Sequence, residues 1–224
     1  TNSKGTAIWG VVFDLDGLLV DSEPLQAESF NEVFAPYGIY LSEDDFEELV
    51  GYQTVDNFRH LRKKFAIETP LDELMALKRV AYHQLVRTRM VPCIGAMELV
   101  EGLATLGARL AVASSSPRED VLLSLDTIGL SKYFPAVFAA DDVAATKPAP
   151  DLYLKASAAI EVPPARCLAF EDSGAGLTAA VAAGLRCFTV PHRYTRDHDF
   201  SAAEAVLETL ADITPEEVRT LALS

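Results

Sequence analysis

Five short apolar runs set what this 224-residue chain can fold into. They lie at roughly 8–13, 109–113, 136–140, 167–171 and 186–190 and are rich in Val, Ile, Phe, Leu and Ala. A strand with one wet face alternates apolar and polar residues, whereas a continuously apolar strand is covered on both faces. Helical patterns at about 95–106, 117–128, 151–160 and 174–183 fall between the later runs. Alternation of that kind predicts an α/β fold: a Rossmann-like parallel sheet wound with helices on both sides.

The alternation breaks once. Residues 22–91 hold helical patterns at about 24–36, 43–50, 55–66 and 71–88 and no convincing strand. The chain is therefore expected to have a core of residues 1–21 and 92–224 and an inserted α-helical cap domain of residues 22–91. Asp21-Ser22-Glu23-Pro24 and Val91-Pro92-Cys93 are the expected connections. Ser116-Pro117-Arg118-Glu119 has the pattern of a helix start with Ser116 as N-cap. The tail from about 201 to 222 reads as one or two surface helices.

Composition narrows the partners. A net charge of −14 disfavours nucleic acid and anionic membranes. No apolar run has the length of a membrane-spanning helix. The three cysteines, Cys93, Cys167 and Cys187, show no metal-ligand spacing, and an odd count makes a poor disulfide framework. A reducing, cytoplasmic setting is expected. The histidines form no helical pair of zinc-ligand spacing, and no protein partner is evident.

The first apolar run ends in Asp14-Leu15-Asp16-Gly17. In α/β sheets ligands bind just beyond the carboxyl ends of the strands. Two acids at such an edge are costly unless a cation or a substrate uses them. Three further motifs follow later strands: Ser114 after Leu110-Ala111-Val112-Ala113, Lys147-Pro148-Ala149-Pro150-Asp151, and Glu171-Asp172-Ser173-Gly174-Ala175-Gly176.

These four ordered motifs together resemble the haloacid dehalogenase superfamily, in its branch of capped phosphatases and phosphomutases similar to β-phosphoglucomutase. The resemblance implies that Asp14 is a nucleophile forming an aspartyl-phosphate. Asp16 is then general acid and later general base, with a metal contact through its backbone carbonyl. Ser114, with Ser115 adding a backbone N–H, would hold the transferring phosphoryl oxygens. Lys147 would offset charge on Asp14 and the phosphate. Asp172 would join Asp14 on Mg²⁺, with Glu171 ligating directly or through water, since an oxygen-only donor set suits that ion.

Charge makes the cation necessary in this reading. Like charges about 4 Å apart repel by roughly 4 kcal/mol at an effective dielectric near 20. Mg²⁺ and Lys147 together bring three positive charges to the acids, which is how so acidic a protein would hold an anion. Hydrolysis of a small phosphorylated metabolite is favoured, with a sugar phosphate as one candidate. The phosphomutase alternative is weakened because Gln26 stands where β-phosphoglucomutases have a cap histidine, and Thr54 where they have an arginine. Dehalogenases of the superfamily lack the second aspartate and need no metal, so Asp16 and Asp172 argue against that activity, and a non-catalytic binder would not need Asp16. Glu23, Gln26, Tyr52, Gln53 and Thr54 are the candidate cap contacts to substrate.

Overall fold

The computed structural model describes residues 8–49 and 54–224. The chain divides into two compact units, one of residues 1–21 with 91–224 and one of residues 22–90.

The larger unit is built on a six-stranded, wholly parallel sheet. Its strands are β1 (Gly10–Phe13), β2 (Arg109–Ala113), β3 (Ala136–Phe138), β4 (Cys167–Glu171), β5 (Arg186–Thr189) and β6 (Ala205–Val206), in spatial order β3-β2-β1-β4-β5-β6. Together with the helices packed on it, this is the Rossmann-like fold expected. The strands' lack of alternation has its physical cause in the burial: every residue of β1 and β4 is buried. On one face Phe13, Phe170 and Phe188 are direct register partners across β1, β4 and β5, with ring centroids 5.3 Å apart at each step. The opposite face presents smaller residues, Val12, Ala111, Ala113 and Ala169, to α7 (Asp151–Ala159) and α8 (Gly174–Ala182). Small against small lets those helices pack close to the sheet through Leu152, Ala156, Leu177 and Ala180. Among the described residues the remaining α-helices of this unit are α5 (Ala96–Thr105), α6 (Arg118–Thr127) and α9 (Pro215–Leu223).

Two expectations are corrected here. The tail does not hold helices alone, because Ala205–Val206 pairs with β5 and closes that edge of the sheet before α9 begins. Ser116 is not an N-cap. Pro117 precedes α6 with no side-chain cap of its own, and the Arg118 N–H donates instead to Asp141 Oδ2 at 2.6 Å. Cys167 and Cys187 are buried, as small hydrophobes in strands should be.

The smaller unit contains α1 (Glu23–Phe34), α2 (Glu43–Glu47), α3 (Thr54–Lys64) and α4 (Leu71–Arg89). Its own core is formed by Phe30, Phe34, Leu41, Phe58, Leu61 and Leu74, with the Phe58 ring 4.9 Å from Phe30 and 5.9 Å from Phe34. Polar latches fix the loop between α1 and α2: Asn31 accepts from the Leu41 N–H at 2.8 Å and donates to the Leu41 carbonyl at 3.3 Å. Ser42 and Asp45 form a capping box at the start of α2, and Lys64 reaches Asp45 at 2.6 Å. Among the described residues no helix is long and apolar enough to cross a membrane.

Candidate active site

Strand β1 lies between β2 and β4, so the strand order reverses direction beside it, and ligands of α/β sheets bind beyond the carboxyl ends of the strands at such a point. Hydrogen bonds carry the ladder just past the strands and hold the site backbone in place. The Asp14 N–H donates to Phe170 O at 3.0 Å, and the Ser114 N–H to Phe138 O at 2.9 Å. The Val190 N–H donates to Glu171 O at 2.7 Å. These three tie the ends of β1, β2 and β4 to their neighbours.

At the centre lies Lys147. Its side chain is only 5 % exposed, and its ammonium donates to Asp14 Oδ1 and, at 2.5 Å, to Glu171 Oε1. Glu171 is fully buried yet saturated with donors. Tyr153 OH lies 2.7 Å from Oε1, while Oε2 accepts from the backbone N–H groups of Asp172 and Ser173 and from the Ser173 hydroxyl. Burial opposes the charge on Glu171, but Lys147 and those donors outweigh it and hold its carboxyl below the ordinary range. Asp14 receives less help. Burial, only partly offset by Lys147, pushes its carboxyl well above the ordinary range, and Glu171, Asp172 and Asp16 add to the push. Burial works against the Lys147 ammonium too, but Asp14 and Glu171 prevail and raise its pKa. The unmet demand for positive charge therefore falls on Asp14.

Carboxylate oxygens of Asp14, Glu171 and Asp172 lie within 4.8 Å of one another. This all-oxygen cluster, carrying more negative charge than Lys147 neutralises, fits a hard divalent cation. Asp14 and Asp172 would be the better direct ligands of such a cation, because both oxygens of Glu171 are already engaged by donors. Gly176 makes this packing feasible: a Cβ there would fall 1.9 Å from the Glu171 carboxyl carbon.

The Asp16 carboxylate is not part of that cluster. It accepts from the Ser116 hydroxyl at 2.7 Å and from the Ser114 hydroxyl at 3.5 Å. Ser114 in turn is fixed by the Ser116 N–H, 3.0 Å from its Oγ. The sequence reading missed Ser116 as a site residue because Ser-Pro-x-Glu already has an explanation as a helix start. Ser115 is exposed in the same loop. The structure thus brings Asp14, Asp16, Ser114, Lys147, Glu171 and Asp172 to one edge of the sheet.

The expected substrate contacts lie on the helical unit. Glu23 and Gln26 occupy the first turn of α1, half-buried, and Thr54 opens α3. Gln53 and Tyr52 lie outside the described residues. Lys78, on α4, donates to the Gln26 side chain and sits 5.2 Å over the Phe30 ring and 4.9 Å over that of Tyr82. Nothing in the sequence singled it out, because its surroundings come from the packing of α1 on α4.

The match to known proteins follows the same residues. Residues 11–190 match the family model of haloacid dehalogenase-like hydrolases. The chain belongs to that family, in the branch that contains phosphatases, and it is a phosphate-ester hydrolase by class. It is 36 % identical over 204 residues to protein CbbY of Rhodobacter capsulatus, covering 87 % of this chain and 90 % of that one. It is 29 % identical to a phosphorylated carbohydrates phosphatase of Thermotoga maritima, with 93 % and 95 % covered. The structure also resembles a variant of CbbY from Rhodobacter sphaeroides crystallised in complex with xylulose-(1,5)bisphosphate. The TM-score is 0.81 at 29 % identity, with 92 % of this chain and 96 % of that chain covered.

Proposed function

We propose that this protein is a Mg²⁺-dependent phosphatase that hydrolyses a small phosphorylated sugar through an aspartyl-phosphate on Asp14. The observation that carries this reading is the buried Asp14 carboxylate, bonded to the Lys147 ammonium and clustered with Asp172. Lys147 favours the charged form of Asp14 against burial, so that one of its oxygens can bond to phosphorus while the bond from phosphorus to the leaving oxygen breaks. Asp16, aimed by Ser116 and Ser114, gives its proton to that leaving oxygen. It later takes a proton from the water that attacks phosphorus and returns Asp14 as a carboxylate. Ser114, with the Ser115 backbone N–H, would hold phosphoryl oxygens at the end of β2. Asp14 and Asp172, with the Asp16 backbone carbonyl and a water on Glu171, would hold Mg²⁺; when bound, that ion supplies charge neutralisation for the phosphate and the acids.

The helical unit serves as the cap that selects substrate, with Glu23, Gln26, Gln53 and Thr54 as its contacts. The names of the relatives support a phosphorylated carbohydrate, and the sugar bisphosphate bound to CbbY makes a ketose bisphosphate a member of the first test panel.

The test is a phosphate-release screen over sugar phosphates, sugar bisphosphates, nucleotides and phosphoglycolate, run after EDTA treatment and again with graded Mg²⁺. Release from a sugar phosphate only when Mg²⁺ is returned is the expected result. Turnover indifferent to EDTA would contradict it. Isomerisation of β-glucose 1-phosphate, assayed in parallel, would favour the phosphomutase reading instead.

A further inference from the structure

We propose that His192, in the loop after β5, is a positioning residue that holds the Asp172 carboxylate in place for the divalent cation. This rests on the reading of Asp172 as a metal ligand. His192 Nε2 lies 2.9 Å from Asp172 Oδ2. The role of that nitrogen follows from the other one: the Tyr194 backbone N–H donates to His192 Nδ1 at 3.3 Å. A ring nitrogen that accepts carries no hydrogen, so the neutral imidazole has its proton on Nε2 and donates to Asp172.

The backbone that carries the ring is fixed from both directions. The His192 N–H donates to Thr195 Oγ1 at 3.0 Å, and its carbonyl accepts from the N–H groups of Thr195 and Arg196, each at 3.0 Å. Thr195 is buried, and the Tyr194 ring packs edge-on against the imidazole, with centroids 5.9 Å apart.

The third wall is the turn after the proposed nucleophile. Gly17 has φ +77°, and a Cβ there would fall 2.8 Å from His192 Cδ2 and Nε2 and 2.9 Å from Asp172 Oδ2. Glycine at position 17 is thus needed for its backbone angle and also for the imidazole–carboxylate pair that leans on it. A donor on one carboxylate oxygen fixes the plane in which the other is presented. Such outer partners of metal ligands orient them and raise metal affinity, and their loss typically weakens binding by about 10–100-fold. None of the four motifs includes His192, which lies twenty residues beyond Asp172.

The experiment compares His192→Phe, which keeps a ring against Gly17 but has no donor, with His192→Gln, whose amide N–H reaches a similar place. Each protein is stripped with EDTA and titrated with MgCl₂ in a calorimeter, with thermal midpoints in EDTA as a control on folding. The expected result is about 10-fold or greater loss of Mg²⁺ affinity in His192→Phe, with His192→Gln within about threefold of wild type. Wild-type affinity in His192→Phe, or equal loss in both variants, would overturn the proposal. Asp172→Asn separates the two layers: if it abolishes binding while His192→Phe does not change it, only the role of His192 fails. If Asp172→Asn also binds Mg²⁺ normally, the metal assignment itself fails.

Discussion

The Ser116 hydroxyl donates a hydrogen bond to Asp16 Oδ2 at 2.7 Å, linking the loop after β2 to the loop after β1. Asp16, the proposed general acid, is useful only when its carboxyl is aimed at the leaving oxygen, and in this reading Ser116 fixes the aim. A hydrogen bond to a charged group is worth roughly 1.5–3 kcal/mol. Ser116→Ala should therefore lower kcat by about 10-fold or more. Its thermal midpoint should stay close to wild type, since Ser116 is only half-buried. Steady-state kinetics beside a melting curve checks both halves.

Tyr153 is the phenol that keeps Glu171 saturated, and burial, followed by the charge of Glu171, holds its own pKa well above the ordinary value, so it remains a donor. Tyr153→Phe leaves a fully buried carboxylate one donor short. A loss of about 1.5–3 kcal/mol in stability is expected, along with a several-fold fall in kcat as Lys147 is drawn toward Glu171 and away from Asp14. Urea denaturation and kinetics on the same preparation would reveal either effect. An unchanged variant would remove Tyr153 from the positioning of Lys147.

Asp14→Asn separates function from stability. The folded-state pKa of Asp14 is raised, chiefly by burial. A raised carboxyl contributes stability below its unfolded pKa and loses that contribution as pH rises through the folded value. At neutral pH the charged form of Asp14 is the one the fold disfavours, so this carboxyl works against the fold. The near-isosteric amide should abolish turnover yet melt at the same temperature as wild type or higher in EDTA at pH 7. A markedly lower midpoint would contradict this electrostatic account.

Most of the core was legible in the sequence because buried parallel strands are written as continuous apolar runs. Val11, Val12 and Phe13 or Leu168, Ala169 and Phe170 have no other reading. The acids and Lys147 stood out because each follows such a run. What was missed depends on chain brought from elsewhere. Ala205–Val206 is a strand only because β5 offers it an edge. The local pattern makes Ser116 a cap, whereas the partner of the α6 N-terminus, Asp141, lies far along the chain. Tyr153 and His192 act through side chains that meet them only after the sheet has formed. Of the expected substrate contacts, Gln26 is held by Lys78, a partner 52 residues away that no local pattern reveals.

Asp45 gives the helical unit a pH dependence of its own. Hydrogen bonds from Lys64, then Ser42, lower its carboxyl to about 2. With an unfolded value of about 3.9, its stabilisation is present above that pH and is lost as pH falls toward 2. Asp45→Ala should cost about 1 kcal/mol at pH 7, as the loss of a capping-box partner and an exposed ion pair does. The gap between variant and wild type should narrow as pH is lowered from about 4 to 2. Urea denaturation followed by circular dichroism across that range measures it.

The central claim is that phosphorus becomes bonded to Asp14 during turnover. Quenching the enzyme in mid-turnover with borohydride reduces an acyl phosphate to an alcohol, and mass spectrometry of the digest locates the reduced side chain. The account predicts homoserine at position 14, dependent on both substrate and Mg²⁺. A reduced carboxyl at Asp16 or Asp172 instead, or unmodified peptide from an enzyme shown to be turning over, would contradict it.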